Sequence, residues 1–189
     1  MILVGPSGVG KKTLIDFILA QYGDLFERKK SYTTRAKREE GLEKAQENFE
    51  FVDDETFQKM LVEGAFIEYQ TRNEGAKYGT AYAELERIKS NGKIPIIEVD
   101  VEGAIEINRQ ALEGNFLFIY PPSFEALRKR IGNRIETEAN FKMRIQEAIR
   151  QIELANNSVL FTNRLVNDAL DDAKNEVDTL IKALYFQEI

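Results

Sequence analysis

The sequence contains no cysteine, no histidine and no tryptophan. Without cysteine there is no disulfide and no thiol nucleophile. Without histidine there is no Ser-His-Asp or Cys-His relay, and with neither residue the usual zinc ligands are missing. Catalysis, if any, must rest on lysine, arginine, carboxylates, hydroxyls, backbone amides or a metal held by oxygen. No apolar run approaches the roughly 18 residues that a spanning helix needs, and no cleavable signal or transit peptide is visible at the start. A basic balance is lacking too: the net charge of −6 argues against a nucleic-acid binder. The cations that exist are grouped. Lys11, Lys12, Arg35, Arg38, Arg130, Arg134 and Arg144 fall at turns or helix starts, an arrangement that suits a small polyanion better than a polymer.

What is present begins at the N-terminus. Apolar Ile2-Leu3-Val4 runs straight into Gly5-Pro6-Ser7-Gly8-Val9-Gly10-Lys11-Lys12-Thr13. A strand, a glycine-rich turn and a helix together hold phosphate: the turn aims backbone N–H groups inward and the helix adds its positive N-terminus. Lys11 occupies the phosphate-reaching position of the pattern G-x-x-x-x-G-K-[ST], but Lys12 stands where that pattern has a magnesium-binding hydroxyl. Thr13 comes one residue late.

Strands and helices alternate over the 189 residues, which predicts one α/β domain with a parallel sheet. Strands are expected at Ile2–Val4, Phe49–Val52, Phe66–Gln70, Ile94–Val99, Phe116–Tyr120 and Asn163–Val166. The helix after the loop buries Leu14, Ile15, Ile18, Leu19 and Tyr22. A helix at Glu55–Glu63 ends at Gly64, Thr80 caps one to Ser90, Ser123 caps another, and Asp168 caps the last. In the long helix after residue 143, Ile145, Ala148, Ile149 and Ile152 share a face; in the last, Leu170, Val177, Leu180, Ile181 and Leu184 point inward. Residues 31–90 form a small α+β insertion, and residues 131–143 form a polar, arginine-bearing segment. Residue 1 lies inside the first strand, an abrupt start expected of a domain trimmed from a longer protein.

A phosphate loop with two movable parts suits phosphoryl transfer between nucleotides, since water must be kept from the donor. An acceptor that is itself a phosphate brings an anionic oxygen, so no general base is needed and a chain without histidine loses nothing.

In its motifs the chain resembles guanylate kinase over essentially its whole length. The carrying segments, in family order, are GPSGVGK at 5–11, SYTTRAKR at 31–38, FIE at 66–68, YGT at 78–80, EVDVEG at 98–103, FIYPPS at 118–123, the stretch from Arg130 to Arg144, and VND at 166–168. The resemblance implies a P-loop nucleotide kinase fold with a core (1–30, 91–128 and 145–189), a GMP-binding α+β subdomain (31–90) and a helical lid at about 129–144. It implies transfer of phosphate from ATP to GMP by a cytoplasmic monomer, with magnesium held mainly by nucleotide phosphates and water. ATP would be bound by Ser7, Gly8, Val9, Gly10, Lys11, Lys12, Thr13 and Asn167. GMP would be bound by Ser31, Arg35, Arg38, Phe49, Glu68, Tyr78, Thr80 and Asp100. Lys11, Arg35, Arg130, Arg134 and Arg144 would stabilise the migrating charge.

Four positions depart from the family pattern: Lys12, Phe49 for a phosphate-binding tyrosine, Glu98 for an aspartate, and Ile135 where the lid is shortened. Two other readings stand beside the enzyme. One is a guanylate-kinase-like scaffold domain that has lost catalysis and grips phosphorylated peptides. The other is a nucleotide-binding regulatory domain of a larger protein.

Overall fold

The computed structural model describes residues 1–37, 47–71, 75–132 and 137–186. Among them are nine strands and seven helices. The strands are β1 (Ile2–Val4), β2 (Phe26–Arg28), β3 (Ser31–Thr33), β4 (Phe49–Phe51), β5 (Phe66–Thr71), β6 (Lys77–Ala81), β7 (Ile94–Val99), β8 (Phe116–Tyr120) and β9 (Asn163–Val166). The helices are α1 (Lys11–Tyr22), α2 (Asp54–Val62), α3 (Tyr82–Ser90), α4 (Val101–Arg109), α5 (Phe124–Gly132), α6 (Glu138–Asn156) and α7 (Leu170–Tyr185). The main sheet has the hydrogen-bonded order β2-β7-β1-β8-β9, and a second sheet the order β4-β3-β6-β5. The chain divides into two compact units, residues 1–23, 98–104 and 114–189 in one and residues 24–97 and 105–113 in the other.

In the first unit β1 runs parallel to β8 and β8 parallel to β9, with Ile2 opposite Phe116 and Leu117 opposite Asn163. β1 and β8 are almost wholly apolar and buried, as strands covered on both faces are, whereas the edge strand β9 buries Leu165 and exposes Arg164 and Val166. Leu14, Ile15 and Ile18 of α1 are buried, as are Val177 and Ile181 of α7. Phe161 packs against Phe118 with ring centroids 5.4 Å apart. The phosphate loop follows the carboxyl end of β1, the middle strand of its sheet. Open α/β sheets bind their ligands at such strand ends.

In the second unit β2 pairs with β7 in parallel, while β6 is antiparallel to both β3 and β5. Its small core joins Phe57, Phe66 and Ala81 to Tyr32, Val52, Met60 and Leu61. Phe66 stacks on Phe57 at 4.6 Å. Phe66 also lies against Gly79 so closely that a Cβ there would meet its ring at 2.7 Å.

Several local expectations are corrected. Thr80 is not a helix cap: it lies in β6, and α3 begins two residues later behind Ala81, whose side chain makes no cap bond. Asp168 likewise gives way to Ala169 as the residue before α7. Asp53 caps α2 by accepting the N–H of Thr56 at 2.7 Å, and Ser123 caps α5 through Ala126 as expected. In α6 the buried positions are Ile145, Ala148, Gln151 and Ala155, and Ile149 is turned outward. Leu170 is exposed at the start of α7.

Candidate functional site: a phosphate loop and a buried polar pocket

The loop between β1 and α1 bends through three glycines with positive φ: Gly5 at 147°, Gly8 at 89° and Gly10 at 98°. Two of these positions allow no side chain for a second reason. A Cβ on Gly5 would lie 2.6 Å from the carbonyl of Ile119, and one on Gly10 would lie 2.3 Å from the side-chain amide of Asn167. Asn167 is itself buried and donates from Nδ2 to the carbonyl of Val9 at 2.7 Å. Its backbone N–H reaches Tyr120 at 2.9 Å, so the end of β9 clamps the loop to the sheet.

Lys11 curls back over this loop, donating to the carbonyls of Gly5 at 2.5 Å and Pro6 at 3.1 Å. Its charge is thus held against the loop's own carbonyls. Lys12 goes the other way. It is exposed and pairs with Asp16 one turn along α1 at 2.5 Å, while Ser7 and Thr13 are also exposed. Arg130 reaches the loop's clamp, donating to the carbonyl of Asn167 at 3.0 Å. Arg144 donates to the hydroxyl of Ser7 at 3.3 Å. Two arginines from separate helices therefore stand with the lysine at one glycine-rich turn. Asp100 follows β7 and starts α4 by accepting the N–H of Gly103 at 2.9 Å. Burial, with Asp100 nearby, pushes the Glu102 carboxyl up.

The second unit holds two further groups. In the first, Glu68 on β5 and Thr80 on β6 face each other in the ladder, and both are buried. The Thr80 hydroxyl donates to the Glu68 carboxylate. Lys29, also buried, donates to Thr80 at 2.6 Å and to Ser31 at 2.6 Å. In the second, the Arg35 guanidinium lies 5.4 Å from the ring centre of Phe49 and 5.5 Å from that of Phe51. The edge of Tyr78 meets Phe49 at 6.1 Å. Phe49 thus serves as a platform under an arginine, a role that needs the ring and not a hydroxyl. Arg38, Arg134 and Ile135 lie outside the described residues.

Sequence reading missed Lys29. A signal existed: in extended chain, residues two apart share a face, and Lys29 stands two before Ser31. The same is true of Glu84, whose carboxylate takes the N–H of Lys30 at 2.8 Å and fixes the backbone beside the pocket.

Comparison with known proteins gives the same picture. A family model described as guanylate kinase matches residues 1–184. Guanylate kinase 1 of Oryza sativa subsp. japonica is 35% identical over 96% of this chain, which spans 47% of that protein, about half its length. Guanylate kinase of Schizosaccharomyces pombe is 30% identical over 95% of this chain and 88% of its own. A crystal structure of guanylate kinase from Anaplasma phagocytophilum shares the fold, with a TM-score of 0.68 at 24% identity over 96% of this chain and 83% of that one. With the complete lysine loop at one end of the central strand and the buried carboxylate pocket in the insertion, the match over nearly every residue has one meaning: the chain belongs to the guanylate kinase family.

Proposed function

We propose that this protein transfers the γ-phosphoryl group of ATP to GMP, giving ADP and GDP. The observation that carries the reading is the buried Glu68 carboxylate, held by the Thr80 hydroxyl, in the same chain as a glycine-rich loop that ends in Lys11. Guanine offers N1–H and N2–H side by side to one carboxylate. Adenine has no such pair and would leave Glu68 buried without its partners, a penalty of about 1–3 kcal/mol.

In this reading a GMP phosphate oxygen attacks the γ-phosphorus while the bond to the β–γ bridging oxygen breaks. Negative charge spreads over the transferred oxygens, and the protein's work is to place and neutralise it. Lys11 exchanges its loop carbonyls for the β and γ phosphates, and the loop N–H groups hold the β phosphate. Arg130, Arg134 and Arg144 act on the migrating group. Arg35 and Arg38 grip the acceptor phosphate, with Arg35 steadied on Phe49. Ser31, Glu68 and Thr80 read the base, and Asn167 stands by the adenine side. Residues 31–90 and 129–144 are the parts that close.

Magnesium, when bound, supplies positive charge to the phosphates of ATP. The loop offers N–H groups and an ammonium, and no group of three metal-binding carboxylates occurs among the described residues. Such a donor set fits an ion carried by the nucleotide's phosphates and water, with Asp100 and Glu98 near enough in sequence to receive that water shell. The same reading makes the protein a monomer of the cytoplasm, as the family resemblance implies. No helix among the described residues is long and apolar enough to cross a membrane.

The test is a coupled assay of ADP release with ATP, magnesium and GMP, using Lys11→Ala as blank. GMP-dependent turnover that vanishes in the variant is expected. GMP binding without turnover would overturn the reading in favour of a phosphopeptide-binding domain, which the full-length likeness to guanylate kinases does not favour.

A further inference from the structure

Lys29 has no part in the activity described so far, yet it sits at the centre of the base pocket. It is only 5% exposed, and its ammonium donates to both hydroxyls of the cluster, Ser31 and Thr80, at 2.6 Å each. Its backbone is pinned on either side. Lys29 N–H reaches the carbonyl of Ile96 at 3.1 Å, and the next N–H reaches Glu84 at 2.8 Å.

An ammonium can only donate. A hydroxyl that accepts from it turns its own proton elsewhere. Thr80 does so onto Glu68, and Ser31 is left presenting a proton. The two hydroxyls, each able to donate or accept, are thereby set to one polarity, and Ser31 presents a donor beside the acceptor carboxylate of Glu68. Guanine carries the complement, an acceptor O6 beside the donors N1–H and N2–H. We propose that Lys29 is a positioning residue that fixes the hydrogen-bond polarity of the pocket and so sets its preference for a 6-oxopurine bearing N1–H. The proposal rests on the GMP reading above and adds to it the group that orients the readers.

The experiment compares the parent protein with Lys29→Met, which keeps the length and loses the charge. KM and kcat are measured for GMP, for IMP and for the 5′-monophosphate of 2-aminopurine riboside, which keeps the 2-amino group and lacks both O6 and N1–H. The parent is expected to show a KM for the 2-aminopurine nucleotide at least about 30-fold above that for GMP. In Lys29→Met the KM for GMP and IMP should rise together by about 10- to 100-fold while kcat and the KM for ATP stay within about threefold. The gap between GMP and the 2-aminopurine nucleotide should narrow. A merely structural lysine would raise all three acceptor KM values alike, keeping the ratio, and that result overturns the proposal.

If Lys29→Met does not fold, Lys29→Gln is measured in its place, and an unchanged ratio of the KM values for GMP and the 2-aminopurine nucleotide overturns the proposal in the same way. Parent turnover of GMP with an unchanged ratio in the variant removes Lys29 from specificity and leaves the proposed function standing. A parent that neither phosphorylates nor binds GMP removes both.

Discussion

The two candidate sites, one in each unit, are built from different materials. The phosphate loop is made of backbone: three glycines at positive φ, a carbonyl clamped by Asn167, and a lysine folded over its own turn. The buried polar cluster is made of side chains from three strands, Ser31 on β3, Glu68 on β5 and Thr80 on β6, joined through Lys29 just before β3. A backbone site needs consecutive residues, so it is written in one short segment. A side-chain site needs strands to pair before its members meet. Substitution should therefore act on the loop through geometry and on the pocket through chemistry.

The largest effect is expected from Gly10→Ala. The new Cβ would fall 2.3 Å from the Asn167 amide at a φ of 98°, so ATP binding should be lost and turnover should fall about 100-fold or more, equivalent to about 3 kcal/mol. Near-normal KM for ATP in this variant would show that the loop is less rigid than its contacts imply.

Glu68→Gln should act differently. It keeps the shape and loses the double acceptor, so kcat/KM for GMP should drop by about 10- to 100-fold with KM for ATP unchanged. Equal use of GMP and AMP by the parent would remove Glu68 from base reading altogether.

Asn167→Ala loosens the loop from a distance. Losing the bond to Val9 should cost about 1–2 kcal/mol and lower Tm by about 2–8 °C. It should raise KM for ATP and leave KM for GMP alone; equal changes in both would erase the distinction between the two sites.

Acid should reach the pocket's frame through Glu84. Burial pushes the Glu84 carboxyl up, but hydrogen bonds from Arg87 and from the Lys30 N–H outweigh it, so its value lies below the ordinary 4.5. A carboxylate lowered on folding contributes stability that is complete above its unfolded value and is lost as pH falls through the folded one. Glu84→Gln should therefore flatten the loss of stability below about pH 4.5, read from urea midpoints across pH. An unchanged slope would mean that other carboxylates dominate.

The smallest effect is expected from Lys12→Ser. Lys12 pairs with Asp16 in the open along α1, and such pairs are worth about 0.3–0.5 kcal/mol. Turnover and magnesium requirement should not change. A lower magnesium requirement would place its ammonium among the phosphates after all.

The same contrast explains what could be read from sequence. The loop, Lys11 and the strands Ile2–Val4, Phe116–Tyr120 and Asn163–Val166 were legible because each is a short continuous run with one physical meaning. Thr80 was misread as a helix cap, since a threonine ahead of an amphipathic helix is locally indistinguishable from one that ends a strand. Only pairing of β6 with β5 gives it Glu68 instead. For Lys29 only the local half was legible, its spacing of two from Ser31, because its other partner Thr80 lies 51 residues on. Ile149 was assigned inward by periodicity, but the buried stripe of α6 takes the polar Gln151 and leaves Ile149 outside. Apolar spacing cannot tell which side of a helix its neighbours will cover.

One bond has a meaning in time as well as in space. The amide that holds Val9 belongs to Asn167, 158 residues later in the chain. On the ribosome the loop is made well before the residue that latches it. A nascent chain carries the loop's glycines and its lysine long before it can close that turn, so the loop stays unlatched until synthesis passes β9.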